Sequence, residues 1–539
     1  MDERTRLLQS SVGTTTNYNA SSTENNQKAW YFSHSTRKWI AEVYSIWKIP
    51  FLCYVFALAV DMADVVRLTP KTQLFETIIC NGYYHGNGHD SMIPLGITTN
   101  PCKGCEVQSR LATIKARLKV IENIFALMLA IPFGNLANKR GRVFVLALGT
   151  IGQMLSEIWV LIVSLAGGSI PYESIYISSI LKSAGGGGIV IAAVAHTILS
   201  DVVPADRRAQ AFLYLASALL ITEMVAPVLA SLLMQNWNVY APLVLGLVFE
   251  LFGSAVLFMI PETAKRVQDG GDLSIDDGSF ESRSEERERY SFWSGVKTTT
   301  KHIIAPFALV WKMIRADRNI PFVATSFLVL SLGRNTLEFL IQYTSKRFGW
   351  TLAEANYLIS FRAAINLILF LIILPALTRF LTSRGMQSAQ MDLWIARVSS
   401  IFSIVGPIMM GISPSPGLLI LCLSPPLASL RSLIYSLLTS SIALALLLFT
   451  FSFGFHPAIK SYATSLVLPN DVATLYASFA VISIIGELAA SPLIAATFTL
   501  GLSIGGAALG LPFFVTAVLF LVCGIGSFCA QMPNLDDEL

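Results

Sequence analysis

The stretch GNLANKRGR, residues 134–142, separates two long apolar segments at 118–137 and 143–166. It holds a group of Lys and Arg residues flanked by glycines. Glycine permits a tight turn and a close approach of backbones, and Lys and Arg collect in the cytoplasmic loops of membrane proteins. The stretch therefore predicts a short cytoplasmic turn between two membrane-spanning helices.

The composition of the whole chain agrees with this interpretation. Of 539 residues, 54% are hydrophobic and 13% are charged, whereas soluble domains carry about 25% charged residues. The mean hydropathy is +0.61. The net charge of +4 is too modest to indicate binding to nucleic acid.

Apolar segments long enough to cross a bilayer recur along the chain, since a span needs about 20 mostly apolar residues. The sequence predicts an all-α membrane protein of about twelve helices. The tenth span follows a Ser/Pro/Leu-rich stretch at 413–441, which is either an insertion or an error in the deduced sequence. The predicted spans lie at 49–67, 118–137, 143–166, 174–199, 209–234, 241–260, 320–342, 354–378, 394–412, 432–455, 473–498 and 508–530.

Basic residues predict how the spans are oriented. The loops after spans 2, 4, 8 and 10 hold Lys or Arg, whereas those after spans 3, 5 and 11 hold none. Lys346 and Arg347, after span 7, are the exception. The positive-inside rule then places both termini in the cytoplasm and the loop at 68–117 on the other side.

The chain divides near its middle at a long polar segment, 261–319, which we interpret as a cytoplasmic linker. It separates two predicted six-helix bundles, at 47–260 and 320–530. Residues 1–46 are expected to form a disordered cytoplasmic tail. Residues 531–539 are expected to form an acidic cytoplasmic tail.

The stretch at 134–142 resembles the major facilitator signature G-x-L-a-D-r-x-G-R, in the same place between spans 2 and 3. Two six-span halves joined by a linker are also typical of that superfamily. The family's Asp is Asn138 here, and a neutral amide forms no ion pair. The resemblance implies a conformational latch formed by Gly134, Asn138, Lys139, Gly141 and Arg142. Without the Asp, this latch is weaker, or another acid supplies the charge.

FETIIC at 75–80 and DRRAQAF at 206–212 resemble a fungal-type branch of the superfamily. The chain is also distantly similar to proton-coupled folate and tetracycline-type carriers. The resemblance implies a secondary transporter that exports a drug or secondary metabolite by proton-coupled alternating access. Around Pro227, however, alanines replace glycines of the exporters' G-P-x-x-G-G motif. Two alternatives stay open: proton-coupled uptake of a folate-like or other organic anion, and a non-transporting receptor on the same scaffold.

Charged side chains inside the spans mark the candidate site, because each costs about 2.5–3.5 kcal/mol at mid-bilayer. Asp61 and Asp64 lie one helical turn apart, and a proton carrier must load and release its proton near neutral pH. Lys182 stands where the family often has an Arg implicated in proton coupling. The glycines that follow it allow close helix packing, which is the alternative explanation of this stretch. The proton-coupling candidates are Asp61, Asp64, Glu223 and Lys182.

The candidates for the substrate cavity lie in the second half: Arg334, Glu338, Arg362 and Glu487. The two arginines suit an organic anion. Arg334 and Glu338 stand four residues apart on one helix, so they either neutralise each other or bind substrate.

Cys80, Cys102 and Cys105 share the polar loop after span 1. If that loop faces an oxidising compartment, we expect one disulfide, Cys80–Cys102, and one free thiol. We predict no metal and no cofactor.

The chain carries no nucleotide-binding or hydrolase motif, so an enzyme is not predicted. The expected partners are a small-molecule substrate, the proton gradient and the lipid bilayer, without nucleic acid, and the protein is expected to be monomeric. The plasma membrane is the predicted location. The vacuolar membrane is the alternative, since ERTRLL at 3–8 resembles a sorting signal.

Overall fold

The computed structural model describes residues 48–83, 101–166, 170–204, 207–263, 320–413, 441–466 and 472–529. Within these ranges the chain is helical, without a strand. The predictions for the two tails, for the linker beyond Thr263 and for most of the stretch at 413–441 lie outside the described residues.

Six helices precede Thr263 and six begin at or after Ile320 in the described ranges, which confirms the all-α fold of about twelve helices. The first half contains α1 (Lys48–Tyr83), α2 (Cys105–Arg140), α3 (Arg142–Leu165), α4 (Tyr172–Val202), α5 (Arg208–Asn236) and α6 (Ala241–Leu257). The second half contains α7 (Ile320–Phe348), α8 (Leu352–Ser383), α9 (Ser388–Ile412), α10 (Ile442–Ser465), α11 (Val472–Ile504) and α12 (Leu511–Cys529).

Among the described residues, 9 helices are long and apolar enough to cross a membrane. The three others depart from that test for visible reasons. α2 bends near Pro132, as helices do where proline removes a backbone hydrogen bond. α6 is apolar but has only 17 residues, and α7 carries charged side chains in its second half, from Arg334 to Arg347.

The prediction of a loop over 68–117 is wrong over most of its length, because α1 continues to Tyr83 and α2 begins at Cys105. Both extensions are amphipathic rather than uniformly apolar. Ile79 and Leu111 are buried there in one cluster with Val163 of α3. Packing of one apolar face therefore keeps these segments helical beyond their apolar runs.

The tenth helix, predicted at 432–455, continues past its predicted end, since its described part spans Ile442–Ser465. Its second part is amphipathic and buries Ile459, Tyr462 and Ala463 in the core of the second half. A helix whose end is polar on one face gives no long apolar run, so hydropathy alone ends it too early.

α4 is interrupted at Gly185 and Gly186. A Cβ on Gly185 would lie 2.5 Å from the carbonyl oxygen of Leu148, so α3 and α4 touch backbone to backbone. Gly186 has a φ of +99°, which side chains rarely tolerate. The Gly-rich stretch thus both packs and breaks the helix.

The two halves meet where α2 packs on α11 and α5 packs on α8. Ala112 and Ala116 of α2 belong to the same buried cluster as Ala490 and Ile494 of α11. These contacts place the charged side chains of both halves around one central region.

Candidate functional site

Arg67 is the centre of a charged cluster inside the first half, and it is fully buried. Its guanidinium donates to Oε2 of Glu250 on α6 at 2.6 Å and lies 3.4 Å from Oδ1 of Asp64. Its Nε lies 3.8 Å from Oε2 of Glu157 on α3, and Glu157 also pairs with Lys71. One cation therefore ties α1 to α3 and α6.

The sequence suggests the Asp64–Arg67 pair by spacing alone, and the structure contains it. The sequence gives no indication that Arg67 also pairs with Glu250, which lies far from it along the chain. That glutamate could be solvated near the membrane surface on sequence grounds, but its side chain is buried. Gly246 makes room for the arginine, because a Cβ there would lie 2.6 Å from Arg67 Cγ.

Asp61, one turn before Asp64, differs from the other carboxylates of this region. Its Oδ2 is buried and has no hydrogen-bond partner among the described residues. The other carboxylates each face a Lys or Arg within ion-pair distance: Asp64, Glu122, Glu157, Glu223, Glu250, Glu338 and Glu487. Among the described residues, Asp61 thus differs from these seven carboxylates in having no Lys or Arg within ion-pair distance.

Among the described residues, two ion pairs join the halves. Arg362 of α8 donates to Oε2 of Glu223 on α5 at 2.7 Å. Lys119 of α2 lies 3.3 Å from Oε1 of Glu338 on α7. The structure thus pairs a predicted proton-coupling residue, Glu223, with a predicted cavity residue, Arg362.

Arg334 and Glu338 do not neutralise each other, although their spacing allows it. Arg334 lies 3.3 Å from Oε1 of Glu487 on α11, while Glu338 faces Lys119. The Arg334 side chain is 59% exposed, which leaves its guanidinium open to a ligand. Lys182, the remaining candidate, lies 3.8 Å from Glu122.

Asn356 near the start of α8 is a neutral contact between the halves. Its amide donates to the Pro227 carbonyl oxygen at 2.8 Å and to Ser231 Oγ at 3.1 Å. It also accepts from Thr69 Oγ1 at 2.7 Å. The hydrogen bonds of Asn356 and the two ion pairs between the halves lie towards one end of the molecule. At this end α1, α5 and α7 finish and α2 and α8 begin. We call it the closed end.

The closed end also carries the disulfide. Cys80 and Cys102 are bonded, with their Cα atoms 5.2 Å apart, and Cys105 is exposed and free. The bond joins the end of α1 to the short 3-10 helix Pro101–Lys103 that precedes α2.

At the opposite end the predicted latch loop turns between α2 and α3. Arg142 forms an ion pair with Asp201 at the end of α4. The carboxylate of Glu262 accepts from the backbone N–H groups of Arg142 and Val143, at 2.8 and 3.1 Å. Asn138 is exposed. Acids outside the signature thus face the latch arginine, in the place where the family's Asp is missing.

Asp201 and Glu262 were not predicted as site residues. A signal was present, since both follow spans that end on the cytoplasmic side in the predicted topology, as does the latch loop. Gly134 and Lys139 are exposed. Gly141 has a φ of +107°, and a Cβ there would meet the Glu262 carboxylate, so glycine is needed to bring that carboxylate close.

Residues 120–486 match the Major Facilitator Superfamily, and the chain belongs to that family of membrane transporters. It is therefore a multi-pass membrane protein that transports small molecules and not an enzyme. It is 33% identical over 480 residues to the "MFS efflux pump atnC" of Emericella nidulans, covering 88% of this chain and 86% of that one. It is 28% identical over 470 residues to the "Efflux pump ustT" of Aspergillus flavus, covering 86% and 84%.

Solved structures support the same fold. A D-xylose-proton symporter superposes with a TM-score of 0.59 at 11% identity, covering 90% of this chain and 97% of the other. A peptide transporter, POT, gives a TM-score of 0.57 at 14% identity, covering 89% and 94%. At these identities the likeness concerns the fold alone.

Proposed function

We propose that the protein is a proton-coupled efflux transporter for a small organic molecule, a drug or secondary metabolite, that works by alternating access. The efflux direction is supported by the fungal relatives, two of which are named efflux pumps. The observation that supports proton coupling is the unpaired carboxylate of Asp61.

A carboxylate without a cation in a membrane protein binds a proton more readily than one held by a cation, because the cation favours the charged form. Charged Asp61 would be a partly buried anion without a counter-ion, and its buried Oδ2 would carry charge in a low-dielectric region, which is costly. A proton on Oδ2 removes that charge. Asp64, three residues on, keeps its charge beside Arg67. We therefore favour Asp61 as the proton carrier and Asp64 as the residue that couples it to the Arg67 cluster.

The substrate is proposed to bind between the halves, beside Arg334, Glu338, Arg362 and Glu487. Alternating access requires that contacts at one end break while those at the other form. Glu223–Arg362 and Lys119–Glu338 are the ion pairs that must open when the closed end parts. Lys182 is proposed to assist through Glu122.

We further propose that both termini are cytoplasmic and that the protein acts as a monomer in the plasma membrane. The closed end then faces the cell exterior, where an oxidising environment favours the Cys80–Cys102 disulfide. In this orientation the latch loop, with Asn138 and Lys139, lies in the cytoplasm.

The test is flux in liposomes that contain the full-length protein and a trapped pH dye, with a panel of organic anions, amphiphilic drugs and fungal metabolites. Proton-coupled efflux predicts substrate-dependent proton movement opposite to the substrate. Movement in the same direction would support uptake by symport instead, which the open guanidinium of Arg334 also suits. Specific binding without flux across the panel would support the receptor alternative.

A further inference from the structure

Lys103 reaches from the first half of the transporter into the second. Its ammonium donates hydrogen bonds to Ser345 Oγ and to the Trp350 carbonyl oxygen, the latter at 2.6 Å. Ser345 donates to the same carbonyl oxygen at 2.7 Å. The lysine thus inserts into the turn between α7 and α8.

The contact is reciprocal and extends around Lys103. Lys346 donates from Nζ to the Lys103 carbonyl oxygen at 2.5 Å. Gln342 donates from Nε2 to the Gln108 carbonyl oxygen at 2.9 Å and to Gln108 Oε1 at 3.0 Å. Both glutamines are buried. The halves are therefore joined here by a polar network as well as by apolar packing.

The charge of Lys103 suits its place. Its partners across the interface are neutral oxygens at the carboxyl end of α7, where the helix dipole favours a cation. Burial is the main cause that lowers the pKa of Lys103, and the carboxylates of Glu76 and Glu354 oppose it. The ammonium of Lys346 lowers the pKa of Lys103 further. The hydrogen bonds that Lys103 donates across the interface go to neutral oxygens, and water can replace these partners when the closed end opens.

The disulfide fixes the position from which Lys103 reaches. Cys102 is its neighbour in sequence, and Cys80 lies on α1. Gln108 strengthens the same connection, since its Nε2 donates to Glu76 Oε1 at 2.5 Å and to the Cys102 carbonyl oxygen at 3.2 Å. The backbone that carries Lys103 is thus attached to α1 by a covalent bond and by hydrogen bonds.

We propose that Lys103 is the positioning residue that holds the closed end shut, and that the Cys80–Cys102 disulfide keeps it in place. The inference rests on the alternating-access part of the proposed function. Removal of the Lys103 charge, or reduction of the disulfide, then shifts the transporter towards the state in which this end is open.

The experiment measures the distance between fluorophores attached through unnatural amino acids at Thr77 on α1 and Ser503 on α11, which leaves every native cysteine in place. Full-length protein is reconstituted without substrate.

Lys103→Met is compared with Lys103→Arg and with Arg110→Met. The last removes a cation from the first turns of α2, close to Lys103 in sequence. Arg110 pairs with Glu106 and lies over the Tyr83 ring, so these contacts stay within the first half.

We expect Lys103→Met to raise the ratio of the long-distance to the short-distance population by about tenfold or more, as for a lost hydrogen bond to a charged group. Lys103→Arg and Arg110→Met should keep the wild-type ratio. Dithiothreitol added to folded wild-type protein should raise the ratio too, and it should add nothing to Cys80→Ser. Cys105→Ser is the matched cysteine control and should behave as wild type.

A wild-type ratio in Lys103→Met, or a reduced protein that matches the oxidised one, would overturn the inference. The readout needs neither substrate nor protons. A distance shift without proton-coupled flux would therefore support the role of Lys103 in holding the closed end shut. It would count only against the proposed proton-coupled transport.

Discussion

Arg362 on α8 donates a hydrogen bond to Glu223 on α5, with 2.7 Å between Nη2 and Oε2, and this ion pair bridges the two halves of the transporter. The guanidinium also lies over the ring of Phe453, 5.4 Å from its centroid. If the halves separate at this level during transport, the pair must open in every cycle. Its strength then affects how readily the cycle proceeds.

We expect Glu223→Gln and Arg362→Gln each to slow substrate flux by about tenfold, the scale of one hydrogen bond between charged groups. The exchanged double variant, Glu223→Arg with Arg362→Glu, restores opposite charges and should transport better than either single variant. Flux in proteoliposomes at matched protein content checks this. A double variant no better than the singles would show that the positions matter for a reason other than their attraction.

Arg67 is predicted to be a stability residue. Arg67→Met leaves Glu250 buried without a cation, which we expect to cost about 3–5 kcal/mol. Asp64→Asn should cost less than about 1 kcal/mol, because that carboxylate is 35% exposed. Thermal unfolding in detergent compares the two. Combining Arg67→Met with Glu250→Met should recover most of the loss, and a double variant as unstable as Arg67→Met would contradict this account.

Two glycines of the same stretch should respond in opposite ways. Gly185→Ala places a Cβ 2.5 Å from the Leu148 carbonyl oxygen, and such overpacking costs about 1–3 kcal/mol. Gly188→Ala meets nothing within 4 Å and should be neutral or stabilising by up to about 1 kcal/mol, since alanine favours a helix. The melting temperatures of the two variants decide the matter, and equal effects would rule out a backbone contact between α3 and α4 as the cause.

Asn138, where the family carries Asp, should have little influence here. Asn138→Asp adds an exposed charge and should change flux by less than about twofold, the scale of a surface ion pair. Asp201→Asn removes the partner of Arg142 and should lower flux by about tenfold. Initial rates at saturating substrate test both. A large gain from Asn138→Asp would mean that Asp201 and Glu262 do not replace the missing acid.

The number and order of the helices could be predicted from the sequence, because each span is predominantly apolar over about 20 residues. The prediction fails where a helix is amphipathic, as at Ile79, Leu111 and Tyr462. There a helix continues because one face packs, and packing partners distant in sequence leave no trace in local hydropathy.

The candidate charges could likewise be found by their cost in a membrane, but their partners could not. Arg334 and Glu338 have the spacing of a pair, yet each turns to another helix. Glu250 and Arg67 are 183 residues apart and form a buried bond of 2.6 Å. Pairing across helices depends on their rotation, which one sequence does not determine.

The most direct test of proton coupling is uphill substrate transport by Asp61→Asn, with substrate exchange at equal pH as its companion measurement. Asparagine keeps the shape of the side chain and resembles the protonated acid in having one donor group and one acceptor oxygen, but it cannot take up or release a proton. If Asp61 is the proton carrier, Asp61→Asn exchanges substrate at a rate close to wild type and loses accumulation driven by a pH gradient. Accumulation as strong as in wild type would contradict the role of Asp61.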